Sequence, residues 1–157
     1  MNTAIDANRL RDALGAYATG VAVVTARASD GSPVAMTVNS FTTVSLEPPL
    51  VLWSVQRDIG PFDAFNTADA YAVHVLHAGQ EDVAMHFAQD IRDKFEGLDL
   101  DQGIDDLPLL RDYTACFQCR VEQRLDGGDH VMLLGRVLAL DHRPADPLIF
   151  HAGGFRQ

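Results

Sequence analysis

The segment from Val34 to Pro49 alternates between apolar and polar side chains, and this alternation constrains the fold more than any other feature of the chain. The apolar face holds Val34, Met36, Val38, Val44 and Leu46, and the polar face holds Thr37, Asn39, Thr43 and Ser45, with Phe41 among them. A period of two predicts one long strand, which ends at Pro48 because proline cannot donate to a strand ladder. The polar face carries no charge, which suits a flat, neutral, hydrogen-bonding ligand.

Composition narrows the class of protein. The 157 residues, 47% of them hydrophobic, predict a single domain spanning residues 1–157 with one core. A net charge of −10 argues against binding to nucleic acid or to an anionic membrane surface. The segment from Met1 to Leu14 lacks the apolar core of a signal peptide, and no apolar run is long enough to span a bilayer, so we expect a cytoplasmic protein with no membrane association.

The order of the predicted elements indicates the architecture. A first helix, capped by Asp6 or Asn8, is predicted to stop at Gly20. Strands are predicted over 21–26, 34–46, 50–56, 70–76, 115–125, 130–140 and 147–151, helices over 60–69 and 80–90, and an acidic loop over 99–108. Six or seven strands in consecutive runs, with two or three peripheral helices, favour a mainly β fold with a closed or partly closed antiparallel barrel.

The two cysteines, Cys116 and Cys119, form a lone C-x-x-C in a segment that predicts a strand. Residues three apart on a strand point to opposite faces, which separates the sulfur atoms. We therefore expect two ordinary thiols and no redox dithiol. The pair provides too few ligands for zinc, and the spacing of the six histidines indicates no shared site, so no metal is expected.

Lys94 and His130 are candidates for a site, and each also has a plainer structural explanation. Lys94 is either a solvated lysine beside a buried phenylalanine or a cation for a phosphate, because an acidic protein that binds an anionic cofactor needs locally concentrated positive charge. Arg57 and Arg92 are the other central basic residues available. The pattern around His130, which follows a glycine turn, predicts a half-exposed histidine at a strand end.

Five short motifs then occur in order. They are Thr19-Gly20-Val21-Ala22-Val23-Val24-Thr25, the stretch Met36 to Pro49, Asp93-Lys94-Phe95, Cys119-Arg120-Val121, and Gly128-Asp129-His130 followed by Gly135-Arg136-Val137. Together, over about Leu10 to Phe155, the chain resembles the flavin reductase-like family. This family includes the small reductase components of two-component flavin-dependent monooxygenases.

The resemblance implies a Greek-key split β-barrel that binds FMN or FAD and forms a homodimer with flavin sites near the subunit interface. It implies reduction of flavin by NADH or NADPH and a partner monooxygenase that consumes the reduced flavin. The cofactor-binding residues it implies are Thr37, Val38, Asn39, Ser40, Ser54, Gln56, Arg57, Lys94 and Phe95. The resemblance assigns His130 to positioning of the nicotinamide and not to acid–base chemistry. Because Ser40 has the opposite parity to Thr37 and Asn39, a bend or bulge near it is expected.

One segment departs from the family pattern. Many relatives carry hydroxyl side chains for the phosphate after the third strand, whereas this chain has Arg57-Asp58-Ile59-Gly60-Pro61. Asp58 would repel a phosphate if it pointed inward. Either Arg57 or main-chain N–H groups compensate, or flavin binds weakly.

Several alternatives stay open at this level. The sequence does not distinguish FMN from FAD, NADH from NADPH, or tightly bound from diffusible flavin, and it does not identify the partner monooxygenase. Two other functions are compatible with the pattern. One is a protein that holds flavin tightly and passes electrons to a protein partner, and the other is a non-catalytic flavin-binding or sensing barrel.

Overall fold

A computed structural model describes residues 4–156 of the chain. The elements in chain order are α1 (Ala7–Gly15), β1 (Thr19–Gly20), β2 (Ala22–Arg27), β3 (Pro33–Val38), β4 (Thr42–Ser45), β5 (Leu50–Gln56), α2 (Phe62–Thr67), β6 (Ala70–Val75), α3 (Glu81–Ala88), β7 (Asp101–Gln102), a 3-10 turn (Ile104–Asp106), β8 (Pro108–Leu109), β9 (Ala115–Gly127), β10 (His130–His142), β11 (Ile149–His151) and β12 (Gly154–Arg156). The predicted mainly β architecture with few helices is confirmed.

Seven strands form one antiparallel sheet in the order β3-β2-β6-β9-β10-β5-β4. The β9–β10 hairpin lies between β5 and β6, which are consecutive strands of this sheet along the chain, so the connectivity is not a simple meander. Two smaller sheets, β1-β11-β12 and β7-β8, complete the strand pairing of the described residues. The edge strands β3 and β4 are neighbours in sequence but are not hydrogen-bonded to each other.

The main core lies on the inner face of this curved sheet. Trp53 is fully buried there and packs edge-on against Phe65 and Tyr71, with ring centroids 5.0 and 5.8 Å away. Val38 at one edge of the sheet and Val51 near the other belong to the same cluster. The sheet therefore curves around a shared interior and stays open between β3 and β4.

The outer face is covered in two places. Helix α3 packs over β2 and β3, where Ala84 and Phe87 join Val23 and Ala35 in a second buried cluster. The excursion that contains β7 and β8 covers β6, where Leu107 contributes to a third cluster. Helix α3 and the segment after it thus lie directly beside the edge strand β3.

The predicted long strand is interrupted, and this corrects the sequence expectation. Val38 is buried, but regular strand geometry stops there, and β4 begins only at Thr42. A register shift follows between Thr43 and Ser45. Beyond the interruption the apolar face is lost, because Leu46 is 97% exposed.

Two predicted boundaries also shift. Asp6 caps α1 by accepting a hydrogen bond from the Arg9 N–H at 2.8 Å, as predicted, but the helix ends at Gly15 and not at Gly20. Gly20 instead belongs to β1, which pairs with β11. Strand β12 was not predicted, and the segment 99–108, predicted as a loop, contains the short β7–β8 ribbon and the 3-10 turn.

The cysteines and one histidine are buried structural groups. Cys116 and Cys119 point into different clusters, as their spacing predicts, and burial raises the pKa of each thiol to about 12. His74 is fully buried, with Nδ1 3.1 Å from the Val23 carbonyl, while Nε2 accepts the Leu110 N–H. Its burial lowers the pKa of His74 to about 4, so the ring is neutral at pH 7.

Residues 4–156 include no helix with the length and apolar character needed to cross a bilayer. Within the same residues, no group of three or more His, Cys, Asp or Glu side chains is arranged to hold a metal ion.

Candidate functional site: the cleft beside strand β3

Two adjoining depressions run along the edge strand β3, with volumes of about 270 and 660 Å³. Their shared walls are Gly60, Pro61, Asp90 and Lys94. Together they form what we call the β3 cleft, lined by residues of the segments 32–37, 58–61 and 87–95. The cleft therefore lies between β3, the loop after β5 and the end of α3 with the segment that follows it.

The wall formed by β3 offers main-chain hydrogen-bonding groups. The Ala35 carbonyl accepts a hydrogen bond from Lys94 Nζ at 3.0 Å, so it points away from the neighbouring strand β2. Because hydrogen-bonding direction repeats every second residue of an antiparallel strand, the N–H and C=O of Thr37 point the same way. This edge can pair with the polar rim of a planar ligand.

Lys94 ties the segment after α3 to this strand. Besides Ala35, its ammonium donates to the Phe87 carbonyl at 3.1 Å. An ammonium has three N–H donors, so one remains after these two bonds. The segment is held further by His86, whose Nε2 lies 2.6 Å from the Lys94 carbonyl oxygen. Burial lowers the pKa of Lys94, and the charge of Asp90 opposes that shift.

Thr37, Lys94 and Phe95 are the predicted residues that the structure brings together in the cleft. The Thr37 hydroxyl donates to the Ala84 carbonyl at 2.6 Å, so this side chain is committed to α3 and its main chain is what the cleft presents. The ring of Phe95 is half-buried against Phe87, with centroids 5.6 Å apart. It thus forms part of the floor and contributes shape more than polarity.

The predicted bend near Ser40 is present. Ser40 Oγ donates to the Ser54 carbonyl and accepts the Ser54 N–H, both at 3.1 Å, which joins the β3–β4 connection to β5. Asn39 is exposed in this bend, while the Val38 side chain is buried in the main core. Val38, which the resemblance implies as a cofactor-binding residue, can therefore meet a ligand only through its main chain.

Arg57 is held elsewhere. Its Nε donates to the Gly128 carbonyl at 2.9 Å, and its terminal nitrogen donates to Asp126 at 2.6 Å, so the guanidinium binds the β9–β10 hairpin. It does not line the cleft. The approach to a phosphate that the resemblance implies for Arg57 stays a prediction, and in this chain the guanidinium binds the Asp126 carboxylate.

Gln56 and His130, two further predicted site residues, lie together outside the β3 cleft. Strand register places them opposite each other on β5 and β10. His130 Nδ1 lies 2.7 Å from the Asp129 carboxylate, and this hydrogen bond lowers the pKa of Asp129. The side chain of His130 is 38% exposed, in agreement with the half-exposed strand end predicted from sequence. Within one chain, these residues do not line the β3 cleft.

The cleft also contains residues that sequence reasoning missed. Gln89 and Asp90 line it, and His86 fixes the segment that carries Lys94. The charged run from Asp90 to Lys94 directly after a predicted helix was the available signal. It could not be interpreted without knowing that α3 packs on β3.

A curved seven-stranded antiparallel sheet with a cleft along one edge strand defines a mainly β protein with one candidate site for a small ligand. The family that it represents follows from comparison with known sequences. Residues 14–157 match the model of the flavin reductase like domain, and the chain belongs to this family.

Similar proteins match over most of this chain. A protein from Agrobacterium fabrum named FMN reductase (NADH) SmoA is 44% identical over 145 residues, which cover 92% of this chain and 82% of the relative. The NADH-dependent FAD reductase of Streptomyces globisporus is 39% identical, with coverage of 97% and 86%. A longer relative from Rhizobium meliloti, named "Probable flavin reductase", is 39% identical, and this chain spans 48% of its length.

Solved structures agree with the fold. The Streptomyces globisporus NADH:FAD oxidoreductase, solved in complex with NAD and FAD fragments, superposes with a TM-score of 0.89 at 38% identity, covering 99% of this chain and 96% of that one. A flavin reductase solved in its native state superposes with a TM-score of 0.86 at 32% identity, covering 98% of each chain.

The residues of the β3 cleft fit an isoalloxazine ring. The ring is flat and uncharged, and its hydrogen-bonding groups lie along one edge. The edge strand supplies outward main-chain groups at Ala35 and Thr37, and the adjoining floor includes the apolar side chains of Met36, Ile59 and Phe87. The hydrogen-bonding and apolar groups of the cleft therefore match the chemistry of flavin, the cofactor that the family implies.

Proposed function

We propose that this protein is an NADH-dependent flavin reductase that supplies reduced FMN or FAD to a partner monooxygenase. The observation that carries the proposal is the β3 cleft, an uncharged strand edge beside an apolar floor, in a member of this family. A bound flavin would supply the redox chemistry by accepting a hydride from the nicotinamide. The protein supplies binding and orientation.

Different residues have different roles in binding and orientation. The main chain at Thr37 binds the polar edge of the ring, while Lys94 holds the wall formed by the segment after α3 against β3. Asn39 and Ser40 border the same ligand from the bend between β3 and β4, and Ser54 borders it from β5. Donors at this edge stabilise the negative charge that a reduced flavin carries.

His130 positions the nicotinamide. Its Nδ1 bond to Asp129 leaves Nε2 as the ring nitrogen directed toward a ligand. Replacement by alanine is expected to raise the KM for NADH more than it raises the dissociation constant for flavin. An unchanged nucleotide KM in steady-state kinetics contradicts this role.

NADH is the proposed nucleotide because the relatives from Agrobacterium fabrum and Streptomyces globisporus both carry it in their names. The same two names give FMN in one case and FAD in the other, so either flavin is a proposed cofactor. A partner monooxygenase is proposed because a relative from Rhodococcus jostii, 36% identical, is named as the reductase subunit of a flavin-dependent monooxygenase.

A homodimer of split barrels in the cytoplasm is also proposed. No residue of α1 is buried, and a nine-residue helix is too short to be stable on its own in water. Its apolar side chains remain uncovered, with Leu14 64% exposed and Tyr17, just beyond the helix, 80% exposed. A second copy of the chain would cover them. Light scattering should give a dimer, and Leu14→Glu should shift it toward monomer.

Anaerobic mixing tests the activity directly. The protein is mixed with NADH or NADPH together with FMN, FAD or riboflavin, and the visible flavin absorbance is followed. We expect colourless protein after gel filtration, and rapid bleaching of added flavin by NADH. Binding of flavin without bleaching would contradict the reductase and identify a sensing barrel, and a yellow purified protein would indicate a tightly held electron-transfer flavin.

A further inference from the structure

We infer that the β3 cleft recognises flavin through its uncharged ring and ribityl chain and not through its phosphate, so that riboflavin and FMN bind about equally well. This inference rests on the proposed function and specifies the flavin that the site accepts. It follows from where the charges of the cleft lie and from how they are already engaged.

Carboxylates outnumber cations along the cleft. Its lining includes Asp58, Asp90 and Asp93 against Arg92 and Lys94. An FMN phosphate carries close to two negative charges at neutral pH, and a site that selects it normally concentrates cations and N–H donors. The charge of this cleft has the opposite balance.

Two of the three cations near the cleft are already engaged by the protein, and the third, Arg92, is an exposed side chain next to Asp93 in the sequence. Lys94 uses two of its three N–H donors on the Ala35 and Phe87 carbonyls, at 3.0 and 3.1 Å. The Arg57 guanidinium is bound to Asp126 and Gly128, outside the cleft. Lys94 and Arg57 each work as a tether between segments of the protein.

The loop after β5 adds no side-chain donor. The segment 58–61 contains no hydroxyl, Pro61 has no N–H, and Ile59 packs against the main core. The main-chain N–H groups that remain in this loop belong to Asp58, Ile59 and Gly60, and Asp58 itself lines the cleft. A phosphate bound at this loop would accept hydrogen bonds from these N–H groups but would also be repelled by the negative charge of Asp58.

Equilibrium binding tests this without any turnover. Riboflavin and FMN are titrated separately with the protein in the absence of nucleotide, and quenching of flavin fluorescence gives each dissociation constant at low and high salt. We expect the two constants to agree within about threefold, the range that one exposed charge contact provides, and their ratio to be insensitive to salt.

A matched pair of variants locates the effect. Asp58→Asn removes a cleft carboxylate and should shift the binding ratio toward FMN by about two- to fivefold. Asp63→Asn removes an exposed carboxylate from α2, outside the lining of the cleft, and should leave the ratio unchanged.

Tenfold tighter binding of FMN than riboflavin, weakening with added salt, would overturn the inference. It would leave the proposed function intact if NADH still reduced FMN. An unaltered ratio in Asp58→Asn would remove the role assigned to that carboxylate and overturn the inference as argued. Failure of both flavins to bind would overturn the inference and the proposed function together.

Discussion

Replacement of Lys94 by methionine should loosen the wall of the cleft. Methionine keeps an unbranched apolar stem of similar length but removes the ammonium, and with it the hydrogen bonds to the Ala35 and Phe87 carbonyls at 3.0 and 3.1 Å. These bonds join the segment after α3 to strand β3. The variant should therefore lose stability and bind every flavin more weakly.

The size of the effect follows from the partners and the burial. Hydrogen bonds to charged groups contribute about 1.5–3 kcal/mol each when buried. Lys94 is only half-buried, so water screens the ammonium and can solvate the released carbonyls. Its removal also relieves the desolvation that lowers its pKa. We expect a loss of about 1–2 kcal/mol in the free energy of unfolding.

Denaturation by urea measures this loss through the fluorescence of Trp53, the single tryptophan of the sequence, which is fully buried. Arg92→Met is the matched control because it removes the neighbouring cation of the cleft without breaking a hydrogen bond to a described residue. It should change the stability by less than about 0.5 kcal/mol. Equal midpoints for Lys94→Met and Arg92→Met would refute the tether.

Three further outcomes are expected. Gly135→Ala should destabilise the fold by about 1–3 kcal/mol in the same assay, since a Cβ there would clash with the buried Tyr71 hydroxyl. Gly20→Ala meets nothing within 4 Å and should be nearly neutral. Ser40→Ala should lower the free energy of unfolding by about 1–2 kcal/mol and weaken flavin binding, because it removes both hydrogen bonds between Ser40 and Ser54 on β5. Unchanged denaturation and titration curves would contradict this. His74 has a pKa of about 4 in the folded protein, against an ordinary value of 6.5. Below pH 6.5 the unfolded chain therefore takes up a proton that the native ring does not. The free energy of unfolding should fall by up to about 3 kcal/mol as the pH drops to 4. A His74→Gln variant should lack that part of the slope, and a slope identical to the parent's would contradict the assignment.

Side-chain alternation predicted strands correctly where one neighbouring strand pairs with the whole alternating segment. The β9–β10 hairpin follows from two alternating runs around Gly127-Gly128, and Gly128 has the positive φ of 74° that glycine readily adopts. The prediction of one long strand failed after Val38 because the chain changes partner there, from β2 before the bend to β5 after it. Ser40 is instead bonded to β5, and no local pattern predicts that contact.

The site was predictable in part. Resemblance to a family pointed to Thr37 and Lys94, and the structure places both in one cleft. It could not show that the Lys94 ammonium binds main-chain carbonyls, or that Arg57 turns to Asp126, since both depend on packing between segments far apart in sequence. The charge that a site offers depends on which of its cations are already engaged, and sequence alone does not reveal this.

A crystal structure of the protein with riboflavin or FMN tests the central claim most directly. The ring should lie in the β3 cleft, with its polar edge within hydrogen-bonding distance of the Thr37 main chain and its face on the apolar floor. Density for the ring at any other position on the barrel would contradict the site proposed here.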